Sequence, residues 1–135
     1  MTPVEILAKA TADGLRIVAI GCDTLSVRGP AEARDRWVPI LKARKLEIIV
    51  TWWAEYLREH FEERAAIHEF EGGLPRPEAE ALARRSTAMM ALAAGAPWAA
   101  LRQALDDPAL PNTLSPVDQL PYPMPNWEQI QRRAV

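Results

Sequence analysis

The sequence predicts a mainly α protein with a small two-stranded antiparallel β-hairpin, in the order α-β-β-α-α-α, followed by an extended Pro-rich C-terminal tail. Three observations lead there. Two β-rich runs, Leu15 to Ile20 and Thr24 to Arg28, flank the turn Gly21-Cys22-Asp23. From Pro30 the apolar spacing changes from every second residue to every third and fourth, and it keeps that period to about Leu105. Half of the chain's 12 prolines then fall at Pro108, Pro111, Pro116, Pro121, Pro123 and Pro125, which denies that stretch regular structure.

The first helix spans residues 3 to 12, with Thr2 as N-cap, Pro3 at the first helical position and Gly14 as the stop. Val4, Ile6, Leu7 and Ala10 fall towards one side of it. In the hairpin, Leu15, Ile17 and Ala19 alternate with Arg16, Val18 and Ile20, and Leu25 and Val27 alternate with polar neighbours, so one face packs on helices. Two strands alone are marginal, and the helices must supply that support. Ala31 to Trp37 fits a short helix, and Pro39 suits the first turn of a long one. Leu41, Lys45, Ile48, Ile49, Trp52, Trp53, Tyr56, Leu57, His60, Phe61 and Arg64 carry its i, i+3, i+4 spacing to about Glu71, where Gly72-Gly73 ends it. Pro75 and Pro77 open the next helix, Arg76 to about Ala94, whose apolar side holds Ala79, Leu82, Ala83, Met89 and Met90. Gly95-Ala96-Pro97 separates it from a last short helix, Trp98 to Leu105.

One globular domain over residues 1–107, with a tail from 108 to 135, suits 135 residues at 49% apolar and 25% charged composition. Sixteen basic against 18 acidic side chains give a net charge of −2, without the basic excess of a dedicated nucleic-acid binder. The N-terminus lacks the pattern of a secretory signal, and no apolar run approaches the length of a membrane span, so the expected location is the cytoplasm. Cys22 is the lone cysteine, and burial as a small hydrophobe is its expected fate. In the tail, Tyr122 and Trp127 are expected to hold an extended segment, Leu110 to Val135, against the helices or a neighbouring chain.

Few residues invite chemistry. His60, Glu63 and His68 are legitimate metal-ligand types, but eight residues of helix separate the two imidazoles by about 12 Å. Arg64 between them repels a cation, so no metal, cofactor or catalytic group is assigned. Gly72-Gly73 before a helix has the form of an anion-binding turn, yet Glu69, Glu71, Glu78 and Glu80 surround it with the wrong charge. Basic edges are offered by Arg76, Arg84 and Arg85 on one helix and by Lys42, Arg44 and Lys45 on the other. Among five tryptophans, the adjacent Trp52 and Trp53 cannot share one narrow seam, which makes one of them a candidate for an interface.

Asp13-Gly14-Leu15-Arg16-Ile17, Asp23-Thr24-Leu25-Ser26-Val27-Arg28-Gly29-Pro30 and Leu41-Lys42-Ala43-Arg44-Lys45-Leu46-Glu47-Ile48-Ile49 resemble the TubC-type N-terminal docking domain of modular peptide and polyketide synthetases. The resemblance covers about residues 1 to 50, leaving 51–107 as a helical extension. It implies a helix, a hairpin and further helices that recruit a short C-terminal peptide of another subunit. It departs from that family between Pro30 and Leu41, where the connection is shortened, and past residue 50. Residues 63–83 are similar to a segment of small uncharacterised proteins of proteobacterial phages and integrative elements, which carries no biochemical role with it.

The resulting expectation is a non-catalytic docking or adaptor module of a bacterial or phage accessory protein, binding another protein or an extended peptide. Its partner-binding residues are Thr24, Leu25, Ser26, Val27 and Arg28 on the outer strand, the basic Lys42, Arg44 and Lys45, and Trp52 and Trp53. A homodimer through the long helix is expected as well. The alternative is a nucleic-acid-associated accessory factor for replication or regulation of a mobile genetic element.

Overall fold

The computed structural model describes residues 1–107; the expectations for Leu110 to Val135, Tyr122 and Trp127 included, lie outside them. The order is α1 (Pro3–Ala12), β1 (Arg16–Ile20), β2 (Thr24–Arg28), α2 (Ala31–Ala43), α3 (Lys45–Phe70), α4 (Arg76–Ala94) and α5 (Trp98–Leu105). No helix among the described residues is long and apolar enough to cross a membrane.

The ends of α1 follow from local chemistry. Thr2 Oγ1 accepts from the Glu5 amide at 3.2 Å, satisfying one of the unpaired N–H groups of the first turn. Ile6, Leu7 and Ala10 are buried, whereas Val4, expected on the same side, is 55% exposed. The chain then turns so that the Leu15 amide reaches the Ala10 carbonyl at 3.1 Å. At the far end of the hairpin Gly29 has φ 147°, and a Cβ there would stand 2.8 Å from the Gly14 carbonyl oxygen, so only glycine lets the two ends approach.

The helices after the hairpin divide differently from expectation. The helix that begins at Ala31 does not stop at Trp37; it runs through Pro39 to Ala43, and the break falls at Arg44, which has φ −125° and ψ 31°. Pro39 removes one main-chain donor, but Ala33, Trp37 and Leu41 are buried at spacings of four and hold the helix on both sides of it. The described residues thus form five helices and a two-stranded antiparallel sheet, with the boundary between the second and third helices at Arg44 rather than before Pro39. Leu41 belongs to α2, and Lys45 opens α3.

The 26 residues of α3 span about 39 Å at 1.5 Å per residue and touch every other element. Ile48, Ile49, Val50, Trp53, Leu57, Phe61 and Ala65 are its buried residues, while Tyr56 is 48% exposed. On α4 the small residues Ala79, Ala83, Ala88 and Ala91 are buried and allow close approach to α3, whereas Met89 faces outward. Gly95 caps α4 in the left-handed conformation at φ 70°. Arg58 of α3 and Arg84 of α4 donate to the Ala104 and Leu105 carbonyls at 2.9 and 3.3 Å, pairing acceptors that the end of α5 leaves open.

Buried side chains form two main clusters. One joins Ile6, Leu7, Ala10, Leu15, Ile17, Ala33, Trp37, Leu41 and Ile48, all within the first 50 residues. The other joins Ala19 to α3, α4 and α5 through Ile49, Trp53, Leu57, Phe61 and Leu101. Leu25 and Trp52 pack against both.

Candidate functional site

The hairpin register is Arg16 to Arg28, Ile17 to Val27, Val18 to Ser26, Ala19 to Leu25 and Ile20 to Thr24. This register fixes which main-chain groups face outward. With a three-residue turn, Ile20 and Thr24 must be a pair whose main-chain groups face each other, because the other arrangement requires Gly21 and Asp23 to bond each other across one residue. Alternation then makes Val18 with Ser26 and Arg16 with Arg28 the hydrogen-bonded pairs. The N–H and C=O groups of Ile17 and Ala19 on β1, and of Leu25 and Val27 on β2, point away from the partner strand.

The outward groups of β1 meet α3. Trp52 Nε1 donates to the Ile17 carbonyl at 2.9 Å, and Trp53 Nε1 donates to the Gly21 carbonyl at 2.7 Å. The indoles meet edge to face at 5.0 Å, and Tyr56 stacks on Trp52 at 5.3 Å with its ring nearly parallel. No third strand pairs with β2 among the described residues.

Along β2 runs a groove of about 300 Å³ between the hairpin and the junction of α2 and α3, lined by Leu25, Val27, Val38, Leu41, Lys42 and Lys45. This volume stands at the lower end of ligand-sized clefts, roughly 300–1,000 Å³. Leu41 is buried and Leu25, Val27 and Val38 are half-buried, which makes an apolar floor; Lys42 and Lys45 are exposed at its rim. Neither lysine has an ion pair among the described residues.

Four of the ten residues expected at the site thus share one groove. Ser26 and Arg28 belong to the opposite, outward face of the hairpin, where they line a shallow hollow with Arg16, Val18 and Ile20. Thr24 is exposed beside the turn and donates from its hydroxyl to Asp23 Oδ1 at 2.9 Å. Arg44 is engaged within the chain, donating to Glu47 Oε2 at 2.6 and 3.1 Å and to the Met1 carbonyl. Trp53 is only 5% exposed and Trp52 is half-buried; both use their indole N–H on the hairpin, so the pair fastens β1. Cys22, expected to be buried, is half-exposed in the turn.

Val38 and Leu41 of the groove and Arg16 of the outer face were not expected at a site. Val38, Leu41 and Lys42 form a helical row on α2, hidden when a helix end is set at Trp37, and Lys45 joins them from the first position of α3. Arg16 is found opposite Arg28 by counting back from the turn.

The other candidates have structural partners. Thr87 is buried and donates its one hydroxyl proton to the Ala83 carbonyl at 2.7 Å, so its 3.1 Å contact with His60 Nδ1 requires that nitrogen to carry the proton. Burial first, then Arg64, lowers the pKa of His60 below its ordinary value, with Glu63 opposing; burial and Arg64 lower that of His68. Arg76 stands within 2.9–3.6 Å of carboxylates on Glu62, Glu69 and Glu80, and Arg84 lies over the Phe61 ring at 5.4 Å. These arginines face intrachain partners. The chain matches no protein-family model, no curated protein and no solved structure.

Proposed function

We propose that the protein is a non-catalytic docking module that takes an extended segment of another protein as a third strand beside β2. The observation that carries this reading is the join of two features along one line. Leu25 and Val27 direct main-chain donors and acceptors off the side of β2 away from β1, and the adjoining groove offers apolar side-chain positions under two lysines that have no ion pair among the described residues. Strand addition draws affinity from main-chain hydrogen bonds and specificity from pockets for alternate side chains. β1 does not offer the same opportunity, since α3 covers it and the Trp52 indole already donates to the outward Ile17 carbonyl.

Amide hydrogen exchange tests the reading, with heptapeptides of alternating valine and charged residues as probes. Binding of a strand slows exchange at the Leu25 and Val27 amides while leaving Ser26, already in the ladder, unchanged. If none of the alternating peptides slows those two amides at millimolar concentration, β2 is not a docking edge.

A further inference from the structure

A hollow of about 330 Å³ opens between α1 and α3 and shares no lining residue with the β2 groove. Its walls are Val4 and Ala8 of α1 and Trp52 and Glu55 of α3, over the buried Leu7 and Ile17. Val4 is 55% exposed, and Tyr56, which stacks on Trp52 at 5.3 Å, is 48% exposed. Single exposed apolar residues are ordinary, but here one lines and one adjoins a concave surface with an aromatic wall. A neighbouring hollow of about 430 Å³ shares Glu55 and continues through Arg58 and Glu59 to Gln103 and Ala104 in the last turn of α5. Because α5 ends at Leu105, the chain passes into residues 108–135 at the far end of this track. Glu55 and Glu59 lie one helical turn apart along it, a spacing at which like charges repel. Neither has an ion pair among the described residues.

We propose that the Pro-rich segment of the same chain, Pro121 to Trp127, occupies the hollow between α1 and α3, with Arg132 and Arg133 drawn to Glu55 and Glu59. Pro121-Tyr122-Pro123-Met124-Pro125 is a polyproline-type sequence. Proline rings fix φ in advance, so such a segment loses little entropy on docking, and aromatic-lined grooves are its common seat. Tyr122 and Trp127 add large apolar area at the same place. Reach is ample: residues 108–120 span about 40 Å at about 3.1 Å each, whereas the path from Arg58, bonded to Ala104, back to Trp52 is about 9 Å of helix. The tether holds the segment at an effective concentration on the order of millimolar, so a weak contact suffices. Charge separates this seat from the β2 groove. After Pro121 the sequence carries Arg132 and Arg133 against one acidic residue, Glu128, and the β2 groove is rimmed by Lys42 and Lys45.

Paramagnetic broadening in the full chain tests the assignment, with a nitroxide attached at Met124→Cys in a Cys22→Ser background. Amides of residues 4–11 and 52–59 are expected to lose more than half of their intensity, the largest loss among the described residues. Ala8→Arg places a long side chain at an exposed helix position, fills the hollow and should restore those intensities with an unchanged circular dichroism spectrum. Arg132→Glu with Arg133→Glu should restore them in part. If nitroxide-bearing chains broaden isotope-enriched chains that lack the label to the same degree, the occupant is a second copy's segment. If the largest loss falls on Thr24–Arg28 and residues 38–45, the segment covers the β2 groove instead. If no described amide is broadened, the hollow is open to another protein's segment. Each of these three results overturns the proposal, as does broadening that survives Ala8→Arg in full.

Discussion

Trp52 donates its indole N–H to the carbonyl of Ile17, 35 residues earlier in the chain, at 2.9 Å. Its neighbour Trp53 does the same for Gly21 at 2.7 Å. One helix thereby holds β1 at Ile17 and the hairpin turn at Gly21, while no third strand pairs with β2 among the described residues. Replacing Trp52 with Phe retains an aromatic ring but leaves a partly buried carbonyl without this donor. The expected loss is about 1–2 kcal/mol in denaturant unfolding, and Trp53→Phe should cost a similar amount. A change below a few tenths of a kcal/mol in both would show that the two bonds do not hold the hairpin.

Proline scanning separates the two sides of β2. Ser26→Pro removes an N–H that faces β1 and should lower stability by about 1–3 kcal/mol. Val27→Pro removes an N–H that faces away from β1 and leaves the ladder intact, so it should be the better tolerated of the two. Thermal unfolding of the two variants checks the register; a Val27→Pro protein less stable than Ser26→Pro would place the ladder the other way round.

Asp13 ties the end of α1 to α2. Its carboxylate accepts from Trp37 Nε1 at 2.7 Å and from Arg36 at 3.0 Å, and these bonds, the Trp37 one foremost, hold its pKa below the ordinary 3.8. A carboxylate whose pKa is lower in the folded state than in the unfolded one adds stability above the unfolded value. That stability is lost as pH falls through the folded value. Asp13→Asn should therefore remove part of the acid-induced fall in melting temperature below pH 3.8. Parallel melting curves for the two proteins through that range would reject the assignment.

His60 and His68 shift in the direction opposite to the usual ion-paired histidine. Burial favours their neutral forms in the fold, so the unfolded chain binds protons more readily as pH drops below 6.5. Their contribution is complete above that value and is lost as pH falls through the lower, folded values. Nitrogen NMR of the histidine rings should report His60 protonated at Nδ1 at neutral pH, with Thr87 as acceptor, and titrating below 6.5. A neutral ring protonated at Nε2 would contradict the hydrogen-bond chain through Thr87 to Ala83.

The end of α5 depends on guanidinium groups from two other helices. Arg58→Ala deprives the Ala104 carbonyl of its donor, and because Arg58 is largely solvent-accessible the expected cost is modest, about 1 kcal/mol. Amide exchange within Trp98–Leu105 should accelerate more than exchange in α1. Uniform acceleration in both helices would show that the bond does not act locally.

Much of this architecture was legible in the sequence because it is written in short-range chemistry. Thr2 and Pro3 start α1, Gly95 stops α4, and the Leu15, Ile17, Ala19 alternation marks the inner face of β1; each depends on residues no more than a few positions apart. The same locality gave the outer strand and the basic Lys42 and Lys45 as candidates for one site. Tertiary structure alone decided the rest. Pro39 reads as a helix start, but burial of Trp37 and Leu41 on either side carries the helix through it, since packing outweighs a single missing hydrogen bond. Trp52 and Trp53 read as a surface for a partner, yet their indoles are spent on carbonyls more than 30 residues away, a pairing that no periodicity encodes. Val38 and Leu41 became a groove floor, and Arg16 the neighbour of Arg28, only once strand and helix were set side by side, because a shared surface is a property of distances through space and the sequence records only distances along the chain.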